Sequence, residues 1–305
     1  MTIDDHLKEW FGQKVEEYKA GAGYGLSIPR FGYSYDNEDE SPVENLKTYL
    51  ADPRTATIKG LVFGMPGESG EPFGPVIDIL VDHAGKLAAL RGIFLGDIVQ
   101  EENEMSWIEQ GDIGRILAAF PKLEELRVRG QSSLELSPCT NESLKRLTIE
   151  TGGLPTAVLH NLARCSFPNL EHLELWLGDD GYGWEGDVDD VLPAIEPALF
   201  PKLKSLGIRN SMIADEVAEA VANAPILAQL EDLDLSLGTM TDKGAEALLA
   251  SEKVRGLKSL NLHRNFLTSA TTGRLASLGP KVDVGDQEEP DDWDGEPHYY
   301  VAVGE

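Results

Sequence analysis

Cysteine is scarce in this chain, with only Cys139 and Cys165 among 305 residues. Two thiols are too few for a disulfide framework or a thiolate zinc site, and a reduced cytoplasmic setting fits them best. Long apolar runs are also missing. Nothing approaches the ~18 consecutive apolar residues of a transmembrane helix. The opening MTIDDHLKEWFGQK has no basic region followed by an apolar core, so no secretory signal is expected. Basic residues are outnumbered, 26 Lys and Arg against 53 Asp and Glu, for a formal net charge of −27. A chain so charged repels phosphate backbones and anionic lipid surfaces, which argues against general nucleic-acid or membrane binding. A basic protein or peptide would be steered in.

Catalytic templates are missing too. The chain has no G-x-S-x-G elbow, Walker loop, H-E-x-x-H helix or dinucleotide fingerprint. Cys165 precedes Phe167-Pro168 in a helix-to-strand turn, where a small buried residue is expected rather than a nucleophile. Neither enzyme action nor a cofactor is expected.

What the chain does have is leucine at fixed offsets. Leu230, Leu233 and Leu235 are followed 27 residues later by Leu257, Leu260 and Leu262. The same spacing starts at Ile58, Leu90, Leu123, Leu144, Leu170 and Leu203, with steps of 32, 33, 21, 26, 33, 27 and 27 residues from Ile58 to Leu257. This is the L-x-x-L-x-L pattern of a leucine-rich repeat, one strand and one helix per unit. No unit can bury its apolar side alone, so stacking follows. The predicted fold is an α/β horseshoe solenoid of about eight to nine repeats, with a parallel sheet on the concave side and helices on the convex side. The 21-residue step from Leu123 to Leu144 is too short for a full helix and should cross by loop.

Three regions follow from this register. Residues 1–50 form an N-terminal cap region, 51–284 the solenoid, and 285–305 an acidic tail with a strand-like end. In the first region HLKEWFGQKVEEY reads as two short strands around Phe11-Gly12-Gln13, with a helix as the alternative, and YGLSIPRFGYSYDNEDES reads as loops. Ser41-Pro42-Val43-Glu44 resembles a helix start, the helix carrying Leu46, Tyr49 and Leu50. Further on, Asp215 and Thr241 or Asp242 are expected to cap helices. Phe120, Phe167 and Phe200, each before a proline, should fill the space beneath helix-ending turns. In the tail, residues 286–296 hold seven acids in eleven positions and should be solvated, while Tyr299, Tyr300, Val301 and Val303 can fold back over the last repeat.

A strand has period two, so residues between the leucines face the concave side. They include Gly92, Phe94 and Gly96; Arg127 and Arg129; His172, Glu174 and Trp176; Arg209; Asp232, Asp234 and Ser236; and Asn261 and His263. A large aromatic among Arg, Glu and His has the composition of an interface hot spot. Arg127, Arg129, His172, Glu174, Trp176 and Arg209 are therefore the expected contact patch. The loop LGDDGYGWEGDVDD, residues 177–190, would supply a lip through Asp179, Tyr182 and Trp184. It lacks the spacing of a calcium loop, so no metal is expected. In the second acidic loop, residues 96–112, Trp107 should pack underneath.

Several stretches resemble an uncharacterised bacterial family of cytoplasmic leucine-rich repeat proteins within the ribonuclease-inhibitor-like class. They are LRGIFLGDI (90–98), SWIEQGDI (106–113), FPKLEELRVRG (120–130), LEHLELWLG (170–178), LGIRNSMIADE (206–216), LEDLDLSLGT (230–239) and the ending EPDDWDG…YVAVGE. The resemblance covers about 90–305 and implies the horseshoe, not an activity. It brings no catalytic or binding residues with it. The expected function is a non-enzymatic recognition module binding a protein or peptide on the concave face. The alternative is an accessory or regulatory subunit of a peptide-modifying or nucleotide-hydrolysing enzyme.

Overall fold

The computed structural model describes residues 5–19, 26–34 and 41–304. Among them the architecture is α/β. A main sheet of twelve strands runs in chain order, parallel except for one antiparallel pair at its start, with eight α-helices placed between strands. None of these helices is long and apolar enough to cross a membrane. The chain divides into two compact units, Met1–Ile149 with Arg164–Phe167, and Glu150–Ala163 with Pro168–Glu305.

The first unit opens with β1 (Glu9–Trp10) and β2 (Gln13–Glu17), an antiparallel hairpin as its sequence predicts. Phe11 and Gly12 turn the chain at φ 49° and 70°, both left-handed as a tight hairpin turn requires. β3 (Ile28–Phe31) corrects the loop expected there: IPRF pairs in parallel with β2 and with β4 (Gly60–Phe63). Of that expected loop, residues 24–25 and 35–40 lie outside the described residues. Between β3 and β4 comes α1 (Pro42–Ala51), with Ser41 accepting from the Glu44 N–H at 3.3 Å and Leu46, Tyr49 and Leu50 buried. There follow α2 (Gly74–His83), β5 (Gly92–Leu95), α3 (Ile113–Ala119), β6 (Glu125–Arg129) and β7 (Arg146–Glu150), with no helix between the last two. The leucine register holds, since Leu61 pairs with Ile93 and Ile93 with Leu126, all buried.

On the opposite face of these strands the hairpin folds over the sheet. Trp10, Phe11, Leu7 and Val15 pack against Ile28, Val62 and Phe94. Glycine makes this possible. A Cβ on Gly92 would stand 2.5 Å from the Phe11 ring and 2.7 Å from the Trp10 ring. Trp107 also departs from expectation, being 65% exposed instead of packed beneath its loop.

In the second unit α4 (Thr156–Leu162) precedes β8 (His172–Gly178), α5 (Val188–Val191), β9 (Ser205–Ser211), α6 (Ala214–Asn223), β10 (Asp232–Asp234), α7 (Asp242–Ala250), β11 (Ser259–Asn261), α8 (Ser269–Leu275) and β12 (Lys281–Asp283). Leu173, Leu206, Leu233, Leu260 and Val282 line up as successive cross-strand partners. That shared register buries Leu173, Leu206, Leu233 and Leu260. Phe200 is buried here, and Phe120 and Phe167 are buried in the first unit. Asp215 does not cap its own helix, which begins at Ala214. Its carboxylate instead accepts from the Thr241 N–H at 2.8 Å and the Gly244 N–H at 2.9 Å, tying the start of α7 to α6. Thr241 is the N-cap of α7, as expected.

The acidic tail is more ordered than its composition suggests. β13 (Asp291–Trp293) and β14 (Glu296–His298) form an exposed antiparallel hairpin whose Asp294-Gly295 turn has both φ positive. Beyond it the chain folds back farther than the last strand. Ala302 N–H donates to the Leu237 carbonyl at 2.9 Å, Val303 N–H donates to Asn210 Oδ1 at 2.9 Å, and Val301 and Val303 are buried.

Candidate functional site

The nine predicted contact residues fall in both units, Arg127 and Arg129 in the first and the other seven in the second. Within the second unit, His172, Glu174, Trp176 and Arg209 meet in one network. Cross-strand register places Glu174 opposite Gly207, and Trp176 opposite Arg209. The absent side chain at Gly207 leaves the space that Glu174 uses; a Cβ there would lie 3.1 Å from Glu174 Cγ. Glu174 Oε1 accepts from both Trp176 Nε1 and Arg209 Nη1, each at 2.8 Å. His172 Nε2 stands 3.5 Å from Glu174 Oε2, while its Nδ1 meets Ser205 Oγ at 3.0 Å.

The network continues across β10 and β11. Arg209 Nε donates to Ser236 Oγ at 3.0 Å and lies 3.4 Å from Asp234 Oδ1. Asn261 Nδ2 donates to Asp234 Oδ2 at 2.9 Å, and Ser259 donates to Asp232. Four strands are thereby cross-linked on one face, a span of roughly 14 Å at ordinary strand spacing. Sequence reading assigned Asp232, Asp234 and Asn261 to this face but not to the site. Their polarity was the available signal, and the dominance of Trp176 as an aromatic hid it.

Burial pushes the Glu174 carboxyl up, but the His172 hydrogen bond, the Arg209 charge and the Trp176 N–H together hold it well below the usual carboxylate range. Burial lowers the Arg209 guanidinium, and Asp234 and Glu174 more than restore it. A carboxylate held ionised with both oxygens engaged is an acceptor, not a proton shuttle near neutrality. Among the described residues no cluster of three or more His, Cys, Asp or Glu is arranged to hold a metal ion.

Two expectations about aromatics are corrected. Trp176 is only 2% exposed, with Arg209 Cζ 4.9 Å over its ring and its N–H committed to Glu174. It supports the face and does not project from it. Trp184, expected on a lip, is also 2% exposed. A neighbouring 3-10 turn, Asp180–Tyr182, explains why. Asp179 Oδ1 accepts from Gly181 N–H at 2.8 Å, and the Trp184 N–H returns to the Asp179 carbonyl at 3.0 Å, so the turn folds its indole inward. Tyr182 remains half-buried beside Gly304, where a Cβ would stand 2.3 Å from its ring.

In the first unit, Arg127 and Arg129 are both buried, stacked over Phe94 at 4.5 and 5.9 Å. Arg129 Nη1 donates to the Ile98 carbonyl at 2.6 Å. A second charged cluster here escaped sequence reading. Arg30 donates to Asp97 Oδ2 at 2.8 Å and to Glu17. His6 lies 3.5 Å from Asp97 Oδ2 and 3.4 Å from Glu102 Oε1. The Asp97 and Glu102 hydrogen bonds raise His6 to about 9. No sequence pattern links residues 67 or 91 positions apart.

A solved crystal structure, that of a Bacteroides fragilis protein from a structural-genomics consortium, is similar to this chain. The two share 34% identity and superpose with a TM-score of 0.81, covering 90% of this chain and 76% of the other. The two chains belong to one family. No family model and no curated protein matches the chain. The Bacteroides fragilis relative carries no activity in its description, so it bears on the fold alone.

Proposed function

We propose that this chain is a non-enzymatic recognition module, a leucine-rich repeat solenoid of the ribonuclease-inhibitor-like class that binds a protein or peptide on its concave sheet face. The repeat reading is supported by the stretch from Leu257 to Leu267. It carries Leu260, Leu262 and Asn265 at the full L-x-x-L-x-L-x-x-N-x-L spacing. Asn265 is buried and serves this role physically. Its Nδ2 donates to the Leu235 and Leu262 carbonyls at 3.0 and 3.1 Å, and its Oδ1 accepts from the Met240 N–H. Such an asparagine satisfies turn backbone that stacking removes from water.

The observation that carries the binding reading is the cross-linked polar face of β8 to β11. Its side chains are already held in place, so a partner would not have to order them. Glu174, Asp232, Asp234 and, on β12, Asp283 outnumber Arg209 and Lys281 on the same face, which favours a basic partner. A cytoplasmic setting belongs to the same proposal, since both cysteines are free thiols.

The test is affinity capture from cell extract with mass spectrometry, comparing wild type with an Asp232→Lys, Asp283→Lys double variant. A partner retained by wild type and lost by the folded variant supports the assignment. Equal retention by both proteins, with unchanged circular dichroism, removes this face as the site.

A further inference from the structure

Cys139 and Cys165 are 26 residues apart in sequence, yet their sulfurs lie 3.9 Å from one another within the first unit. Backbone pairing sets this distance. Thr140 and Ser166 form a parallel bridge, the Ser166 N–H donates to the Cys139 carbonyl at 2.9 Å, and the Asn141 N–H donates to the Ser166 carbonyl at 3.0 Å. One residue back from that bridge, the two cysteines stand as cross-chain neighbours. Adjacent paired chains are roughly 4.8 Å apart, inside the Cα separation of about 4.4–6.8 Å that a disulfide tolerates. Closing the bond brings the sulfurs from 3.9 Å to the ~2.05 Å of an S–S bond.

We propose that Cys139 and Cys165 form a reversible dithiol–disulfide site, closed by a hydroperoxide small enough to reach Cys165 and reopened by a thiol reductant. The two thiols differ in character. The contact between the sulfurs holds one thiol down at the expense of the other, and a backbone hydrogen bond and the Arg164 charge favour Cys165 as the lowered one. Cys165 is therefore the thiolate that reacts first. Its sulfur attacks hydrogen peroxide; the S–O bond forms, the O–O bond breaks, and the departing hydroxide takes up a proton to become water. Cys165 is now a sulfenic acid, oxidised by two electrons. Cys139 Sγ then attacks Cys165 Sγ. The S–S bond forms, the S–O bond breaks, and the hydroxyl leaves with the Cys139 proton as a second water. Two small thiols reverse the change by becoming a disulfide themselves. The closed ring contains β7 and α4, so oxidation staples the turn after Cys139 to the turn after Cys165.

The experiment is peroxide titration of the native full-length protein, followed by alkylation under denaturing conditions and mass spectrometry. The expected product has lost two hydrogens, carries no alkyl group on either cysteine, yields one cross-linked peptide and recovers both thiols in dithiothreitol. Its Tm should rise, because the ring restricts the unfolded chain. In Cys139→Ser, with no resolving thiol, Cys165 should accumulate a dimedone-reactive sulfenic acid. The proposal is overturned if both wild-type thiols stay alkylatable after peroxide. It is equally overturned if the only products are sulfinic acid or disulfide between two molecules.

Discussion

Arg209 and Trp176 converge on a single acceptor, each donating 2.8 Å to Oε1 of Glu174, while the guanidinium stacks 4.9 Å over the indole. The carboxylate is the hub, so removing it strands two buried donors. Glu174→Ala should cost about 3 kcal/mol, since breaking a buried pair leaves an undercompensated charge. Glu174→Gln keeps an acceptor and should cost about 1–2 kcal/mol. The carboxyl is held below its ordinary range in the fold. Its contribution is therefore present above the usual Glu value of about 4.3 and is lost as pH falls from there toward the folded value. Urea melts between pH 2.5 and 7 check this. A wild type and Gln variant that lose stability in parallel below pH 4.3 would contradict it.

His6 works in the opposite sense. Its pairing with Asp97 and Glu102 raises it to about 9. The contribution is full below the unfolded His value of about 6.5 and is lost as pH rises through 9. Hydrogen exchange in β1 and β2, corrected for the intrinsic pH dependence, should speed up across that interval in wild type. In His6→Gln the corrected rates should be flat. Identical profiles would show that His6 does not anchor the N-terminal hairpin.

The two buried tryptophans of the second unit should respond differently to Phe. Trp176→Phe loses the N–H donated to Glu174 and part of the cation–π contact, for about 2–3 kcal/mol. Trp184 Nε1 is buried with no acceptor among the described residues. Trp184→Phe removes that unmet donor, which offsets the smaller ring, and should cost about 1 kcal/mol or less. Denaturant midpoints of the two variants decide the order.

Gly92 and Gly85 make a matched pair. A Cβ at Gly92 meets the Phe11 and Trp10 rings at 2.5 and 2.7 Å, whereas nothing lies within 4 Å of one at Gly85. Gly92→Ala should push the β1–β2 hairpin off the sheet, cost about 2 kcal/mol and open residues 9–17 to protease. Gly85→Ala should be neutral or mildly stabilising. Hairpin cleavage at the wild-type rate in Gly92→Ala would refute the packing argument.

Local signals in the sequence proved reliable where the physics is local. Ser41 caps α1, Thr241 caps α7, and the short step after Leu123 holds no helix. Each depends on a few neighbouring residues. The role of Asp215 is not legible locally, because its partners Thr241 and Gly244 sit at the start of the next helix, beyond any local rule. IPRF carries no legible strand pattern, because only one residue stands on each side of Pro29-Arg30. The acidic tail looked merely solvated, although Asp294-Gly295 is a hairpin turn signal that its charge obscured.

The alternation of strand and helix, the leucine register and the residues assigned to each strand face were determined by the sequence alone. A strand repeats every two residues, and a unit with one apolar side must stack to bury it. Tertiary structure decided which face residues meet solvent. Phe94 and Trp176 both belong to the face between the leucines, yet one lies beneath Trp10 and Phe11 and the other beneath Arg209. Burial of a face residue depends on what the rest of the chain lays over it, and those neighbours come from distant positions that no spacing encodes. The pairing of Cys139 with Cys165 was settled the same way, by a backbone bridge between Thr140 and Ser166 that no spacing encodes.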